Sequence, residues 1–411
     1  MCEASLRVAG DRSPRWRYSG DPWRVCRPGL RVLALAIIVA LWPEGVPAHD
    51  PDTAGGLFRT HDAGATWLPI NPGIFVSGAL ALAVSPLDPD HLLLGTDSGV
   101  WRSRNGGRDW EIEAPGTLIG PAFAAAFDVD GERALVACAS TIFRSDGDRW
   151  RPIQTPAGAA PARALVPGTL PGQVYLAGRT GLYRSDDWGR SWVDVGRELR
   201  AEHVNGLTVP PWRPEELYVV AGGRLWASVD GARSWQPRLG ALDGGGVEVV
   251  GSDPSGSGRL WAVVAGQLFR TEDHGQHWRP VGIPLPEGPA IARAVASRGD
   301  VILIATDRGV FRSSNAGERW EPPSEGLPGH LPPSLLVRDS LRPATFYAGF
   351  ALTPYEELQQ RSPQDGRALT IADIASLAGV VAFLALLAMG AGAAVRRLVR
   401  THPRVRPDRN V

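Results

Sequence analysis

The chain has 411 residues, and its 43 basic side chains balance its 43 acidic ones to a formal net charge of zero. Taken over the whole chain, that balance favours neither nucleic acid nor another highly charged partner. No lysine occurs, which excludes a lysine Schiff base and the lysine of a phosphate-binding loop.

The N-terminal stretch carries a long basic segment, then an apolar run from Val32 to Trp42, then PEGVPAHD. The run is too short to span a bilayer but suits the core of a signal peptide. Val46 and Ala48 supply the small residues a cleavage site needs, so residues 1–48 read as a leader cut after Ala48. Of three cysteines, Cys2, Cys26 and Cys138, only the last lies beyond the leader, so no disulfide is expected there and Cys138 reads as a buried thiol.

From residue 56 a short pattern recurs. LFRTHDAGATW ends at Trp67, VWRSRNGGRDW at Trp110, IFRSDGDRW at Trp150 and LYRSDDWGRSW at Trp192. LWASVDGARSW ends at Trp235, LFRTEDHGQHW at Trp278 and VFRSSNAGERW at Trp320. The tryptophans are spaced 40–43 residues apart, the signature of a repeat architecture. The chemistry is that of a turn. Asp62, Asp187, Asp230 and Asp273, with Asn105 and Asn315 in the same place, can accept hydrogen bonds from backbone N–H groups that lack a strand partner. Gly64, Gly107, Gly189, Gly275 and Gly317 supply positive φ, and each tryptophan buries a large ring beside the turn. The copy at Ser228 has its glycine one place early, at Gly231, and the copy at Ser145 is two residues short, which implies a tighter turn. A catalytic centre normally occurs once per domain, whereas this feature occurs seven times, so it reads as a structural staple.

The pattern resembles the Asp-box, or BNR, repeat, Ser/Thr-x-Asp-x-Gly-x-Thr/Ser-Trp, over residues 56 to about 350. Between tryptophans the chain reads as four short strands per period, which predicts β-propeller blades. The first copy has only a third and a fourth strand, while SLLVRDS and TFYAGF after Trp320 read as a first and a second. Residues 334–350 are therefore expected to join residues 56–70 in one blade and latch the ring. The expectation is an all-β, seven-bladed propeller of four-stranded antiparallel blades over residues 49–352.

Function is sought where the repeat is broken. The arginine before the turn recurs as Arg59, Arg102, Arg144, Arg184, Arg270 and Arg312, and reads as structural, pairing with carboxylates or stacking on tryptophans. Two tryptophans, Trp188 and Trp212, fit no repeated position; they either form an exposed anchor for a partner or fold back to cap the blade ends. Arg163, Glu248 and Arg293, near the start of first strands, are candidates for the central mouth, with a solvated rim as the plainer reading. His274 and His277 lack further ligands, so no metal site and no cofactor is expected. DVDGER at Asp128 reads as a hairpin turn rather than a calcium loop.

After a linker at 353–373, residues 374–395 carry no charge and are long enough to cross a bilayer as a helix. The arginine-rich tail 396–411 then belongs in the cytoplasm by the positive-inside rule. This places the propeller outside, close to the membrane.

Asp-box repeats occur in sialidases, but that family's tyrosine nucleophile has no counterpart here, because Tyr175, Tyr218 and Tyr347 share one repeated strand position. The chain is also similar to seven-bladed propellers of the photosystem II assembly-factor type, and more distantly to sortilin-type receptors. The first of these resemblances implies a non-catalytic, membrane-anchored extracytoplasmic platform that binds a protein or membrane-complex partner. The alternative is a glycoside hydrolase or lectin acting on surface polysaccharide, and a carboxylate pair at the central mouth would favour the hydrolase.

Overall fold

The chain divides into two units, Met1–Asp50 and Pro51–Val411. The computed structural model describes residues 55–353, apart from 72–73, 75, 200–203, 239, 243–245, 256–257, 287–289 and 322–325, together with 357–358. All of these belong to the second unit. The expected leader, membrane helix and tail lie outside the described residues, as does most of the linker.

Seven antiparallel sheets make up the fold. Blade 1 joins the two ends of the domain: strands Gly56–Thr60 and Leu68–Pro69 pair with Phe346–Phe350, which in turn pairs with Pro333–Arg338. Phe58 and Phe350 meet edge to face across this seam, with ring centroids 5.5 Å apart. Blades 2 to 7 follow in chain order, with innermost strands Ala79–Val84, Ala122–Phe127, Ala164–Pro167, Val204–Thr208, Val247–Ser252 and Ala292–Arg298. Each innermost strand packs on those of its two neighbours, so the ring is closed and has seven blades. Six blades have four strands; in blade 7 three are described, and the Glu321 amide continues the ladder to the Arg312 carbonyl.

The second strand of each blade is a short apolar run, such as LLLGT at Leu92–Thr96 or LWAVV at Leu260–Val264, and is buried along all or nearly all of its length. A strand sandwiched between two neighbouring blades has no solvent face, so its sequence does not alternate. Tyr175, Tyr218 and Tyr347 lie in such strands and are fully buried. Burial pushes the phenols of Tyr175 and Tyr347 up to about 12. Cys138 is a buried free thiol, likewise pushed up to about 12 by burial.

The recurrent turn is a hydrogen-bonded knot. Thr60 Oγ1 donates to Asp62 Oδ1 (2.7 Å) and accepts from the Gly64 amide (2.9 Å). Asp62 also accepts from the Thr66 amide (2.8 Å) and the Thr66 hydroxyl (2.6 Å). The hydroxyl and amide bonds recur around Asn105, Asp187, Asp230, Asp273 and Asn315. Where Asn105 replaces the aspartate, its Nδ2 donates to Asp109, so donor and acceptor have exchanged places. Two consecutive residues in each turn are left-handed, for example Ala63 and Gly64 at φ 58° and 86°. In the Ser228 copy the glycine moves to the first of these positions, Gly231 at 72°, and Ala232 takes the second at 69°. At Ser145 the knot is replaced by a tight hairpin, with Arg149 paired to Asp146, and the fourth strand grows to Arg149–Ile153 where other blades have two residues.

A second buried turn follows the innermost strands. Asp128 Oδ1 accepts from the Gly172 amide of the next blade, and Asp253 Oδ1 from that of Gly299. Their other oxygens take Arg133 and Arg259. DVDGER is thus a turn whose carboxylate is already engaged by protein.

Candidate functional site

An axial cavity of about 510 Å³ opens at the start of the innermost strands. Its lining has a simple origin. In six blades the pairing of first and second strands slips by one residue, and the residue left over is Ser334, Leu80, Phe123, Asn205, Glu248 or Arg293. Arg163 holds the equivalent place in blade 4, since its amide bonds the Ala177 carbonyl and Ala164 pairs with Ala177. A β-bulge re-aims the extra side chain out of the ladder. All seven residues line the cavity. The backbone device repeats while the side chain changes from blade to blade.

Around the ring the chemistry is divided. Blades 2 and 3 contribute Leu80 and Phe123, both buried, and blades 4 to 7 contribute Arg163, Asn205, Glu248 and Arg293. Leu358, beyond the last strand, packs on Leu80, Phe123 and Ala351, so an aliphatic side chain of the chain itself already sits on the apolar arc. Glu248 Oε2 accepts from the Ala292 amide (2.6 Å), and Asp307 Oδ1 accepts from the neighbouring Ile291 amide (2.9 Å). Burial raises the Glu248 pKa above its ordinary value and the nearby Asp307 charge adds to this, against the pull of amide hydrogen bonds from Ala292 and Ala265.

The structure therefore brings Arg163, Glu248 and Arg293 to one cavity. Sequence reasoning missed Leu80, Phe123, Asn205 and Ser334, because the bulge register that makes them equivalent is visible only in the pairing. The anchor reading is corrected for Trp188. Trp188 is fully buried in the core between blades 3 and 4, with φ at 53°, and presents no surface to a partner. Its amide bonds the Gly172 carbonyl of the same blade, which turns the ring inward. Trp212 is half-buried against the blade 5 and 6 core. Trp67, Trp110, Trp150, Trp235 and Trp278 are buried, while Trp192 and Trp320 are partly so. His274 and His277 bond Glu216 and Asp273, and among the described residues no cluster is placed to hold a metal ion.

The fold and its axial ring define a seven-bladed propeller with a chemically divided mouth. No protein-family model and no curated protein matches the sequence. Among solved structures, the chain is similar to YCF48 from Cyanidioschyzon merolae at 14% identity, with a TM-score of 0.53 over 68% of this chain and 97% of that one. A structure of YCF48 bound to D1 peptide gives 16% identity and 0.52, over 68% and 94%. A GH74 xyloglucanase from Xanthomonas campestris gives 18% and 0.54, over 72% of this chain and 52% of that enzyme. At these identities the likeness establishes the fold.

Proposed function

We propose that the protein is a non-catalytic docking platform whose axial mouth holds an extended segment of a partner protein. The observation that carries this is the bulge ring, with an apolar arc beside an arc of arginines, an amide and a carboxylate. A peptide offers that combination of side chain and backbone groups. A YCF48 structure carries a D1 peptide, which supports a peptide as the ligand class. In this reading the recurrent turns act as Asp-box staples, and the leader expected from the sequence at 1–48 and the membrane helix expected at 374–395 would tether the platform outside the cell membrane.

The second reading, a hydrolase or lectin for surface polysaccharide, draws on the proximity of Glu248 and Asp307 and on the xyloglucanase likeness. Against hydrolysis, each of these carboxylates already holds a backbone amide of blade 7. Among the described residues Glu248 is the sole carboxylate lining the cavity, whereas glycosidases of the ordinary kind need two across a substrate.

The test is a photo-cross-linker placed at Asn205 in the full chain and activated in native membranes, beside a binding assay on cell-wall polysaccharide. One stoichiometric cross-linked protein supports the platform. Glycan binding without a protein adduct favours the second reading.

A further inference from the structure

Of the six recurrent arginines, five are held by a carbonyl of the next blade or by a carboxylate, and one is not. Arg59 and Arg184 donate to the carbonyls of Gly106 and Gly231 in the next blade, and Arg312 donates to that of Ala63. Arg102 is held by Glu113. Arg270 faces Arg279 across the strands, but it is paired with Glu272 and lies over the Trp261 ring. Arg144, in blade 3, has none of these partners. The position opposite it on the second strand is Leu135 rather than tryptophan, and among the described residues it forms no ion pair.

The residue after the closing tryptophan faces this arginine in blades 1 to 4 and 6, and in blade 3 that residue is Arg151, directly opposite Arg144 on the fourth strand Arg149–Ile153. Like charges directly opposed on a sheet are destabilising unless something neutralises them. Arg190, from the turn of blade 4, lines the same groove, which has a volume of about 280 Å³ and an apolar wall at Ile153. Asp146 is the single acid among the described residues lining the groove, so three guanidinium groups and one carboxylate give its lining an excess of two positive charges.

We infer that this groove between blades 3 and 4 is a binding site for a phosphate group, with Arg144, Arg151 and Arg190 as its donors. Guanidinium forks match phosphate oxygens and give charge-assisted hydrogen bonds. A phosphate monoester carries up to two negative charges, which complements the groove's surplus. A carboxylate would neutralise half of it. The site is independent of the axial mouth and does not rest on the reading given to that mouth.

Calorimetric titration of the full chain tests this, with glucose 6-phosphate, inorganic phosphate and acetate as probes at matched ionic strength. Saturable binding of glucose 6-phosphate is expected at pH 7. It should weaken about tenfold by pH 5, because the ester takes up its second proton near pH 6. Arg144→Gln and Arg190→Gln should each weaken it about tenfold or more, by loss of a charged hydrogen bond, with thermal melts unchanged or raised. Equal affinity for inorganic phosphate assigns the groove to the free anion, and a preference for the ester assigns it to a sugar-borne phosphate; both support the site. Absent saturation, acetate binding as tight as phosphate, or undiminished binding by a folded Arg144→Gln/Arg190→Gln variant would overturn it.

Discussion

Arg312 donates a hydrogen bond of 2.8 Å from Nε to the carbonyl oxygen of Ala63, a residue 249 positions earlier in the chain. The same side chain is gripped by Glu321, and the carbonyl it reaches belongs to a left-handed residue in the turn of blade 1. The contact therefore joins the last complete repeat to the first, across the seam where the ends of the domain meet. A hydrogen bond from a charged donor contributes about 1.5–3 kcal/mol, and its loss strands a partly buried carbonyl. Arg312→Ala is expected to lower stability by about 2 kcal/mol. Arg144→Ala, which removes no such bond, should cost little. Urea unfolding of the two variants checks the contrast; equal losses would show that the arginines act by charge alone.

The left-handed pair in each turn gives a second prediction. A Cβ on Gly64 would come within 2.6 Å of Leu303 Cδ2 in blade 7, and a non-glycine residue at its φ of 86° is strained. Strain of about 1–2 kcal/mol adds to overpacking of about 1–3 kcal/mol. Gly64→Ala should thus shift the thermal midpoint down clearly, whereas Gly116→Ala, at 88° but with nothing within 4 Å of its Cβ, should show only the backbone part.

Much of this architecture was legible because it is local and repeated. The tryptophan period, the turn chemistry and the two half-blades at the ends are each visible in a window of a few residues, and they fix the blade count and the closure. The site was legible only in part. Arg163, Glu248 and Arg293 stood out by charge, but Leu80 and Phe123 look like ordinary core residues until the bulge places them on the axis. Asp128 and Asp253 resemble surface turn residues in sequence; their burial depends on an amide donated by the next blade, some 45 residues on. Trp188 misled for the same reason, since a variable turn position does not reveal which way a left-handed residue aims its ring.

Trp188 accordingly predicts a stability effect. Its ring fills the core between blades 3 and 4 with no exposed surface. Removal of a buried tryptophan side chain costs about 3–5 kcal/mol. Trp188→Ala should lose that much in urea unfolding, while the fraction that remains folded captures partner as well as the native protein does. Capture lost from the folded fraction would restore the anchor reading.

The turn aspartates predict a pH dependence with a definite sign. Burial pushes Asp62, Asp230 and Asp273 up, but hydrogen bonds outweigh it and hold each down to about 2, against 3.8 ordinarily. For the first two the donors are the hydroxyl and amide of Thr66 or Ser234, then the hydroxyl of Thr60 or Ser228. For Asp273 they are the His277 amide, the Thr271 hydroxyl and the His277 ring. The unfolded chain therefore binds protons first as pH falls. The stabilisation is complete above the unfolded value and is lost as pH drops from about 4 to about 2. Replacing all three with asparagine, the residue already present at Asn105 and Asn315, should flatten stability over that window. Trp fluorescence followed against urea at pH 5, 3.5 and 2.5 reads the difference, and parallel curves for both proteins would refute it.

Leu358 bears on the mouth itself. It rests on Leu80, Phe123 and Ala351, the apolar side of the axial ring, so a partner's aliphatic side chain must share that arc with it or displace it. A ligand that competes with an intramolecular occupant binds more weakly by the fraction of time the site is taken. Leu358→Glu places a charge where an aliphatic group lay and should free the arc. The expected result is tighter capture of the cross-linked partner at the mouth, with the propeller's melting temperature little changed because the residue lies beyond the last strand. Phe123→Ala, by contrast, should weaken capture, since it removes the surface that both occupants use. If Leu358→Glu weakens capture to the same degree as Phe123→Ala, then Leu358 is part of the docking surface rather than its competitor, and the partner lies against the segment that leads away from the propeller.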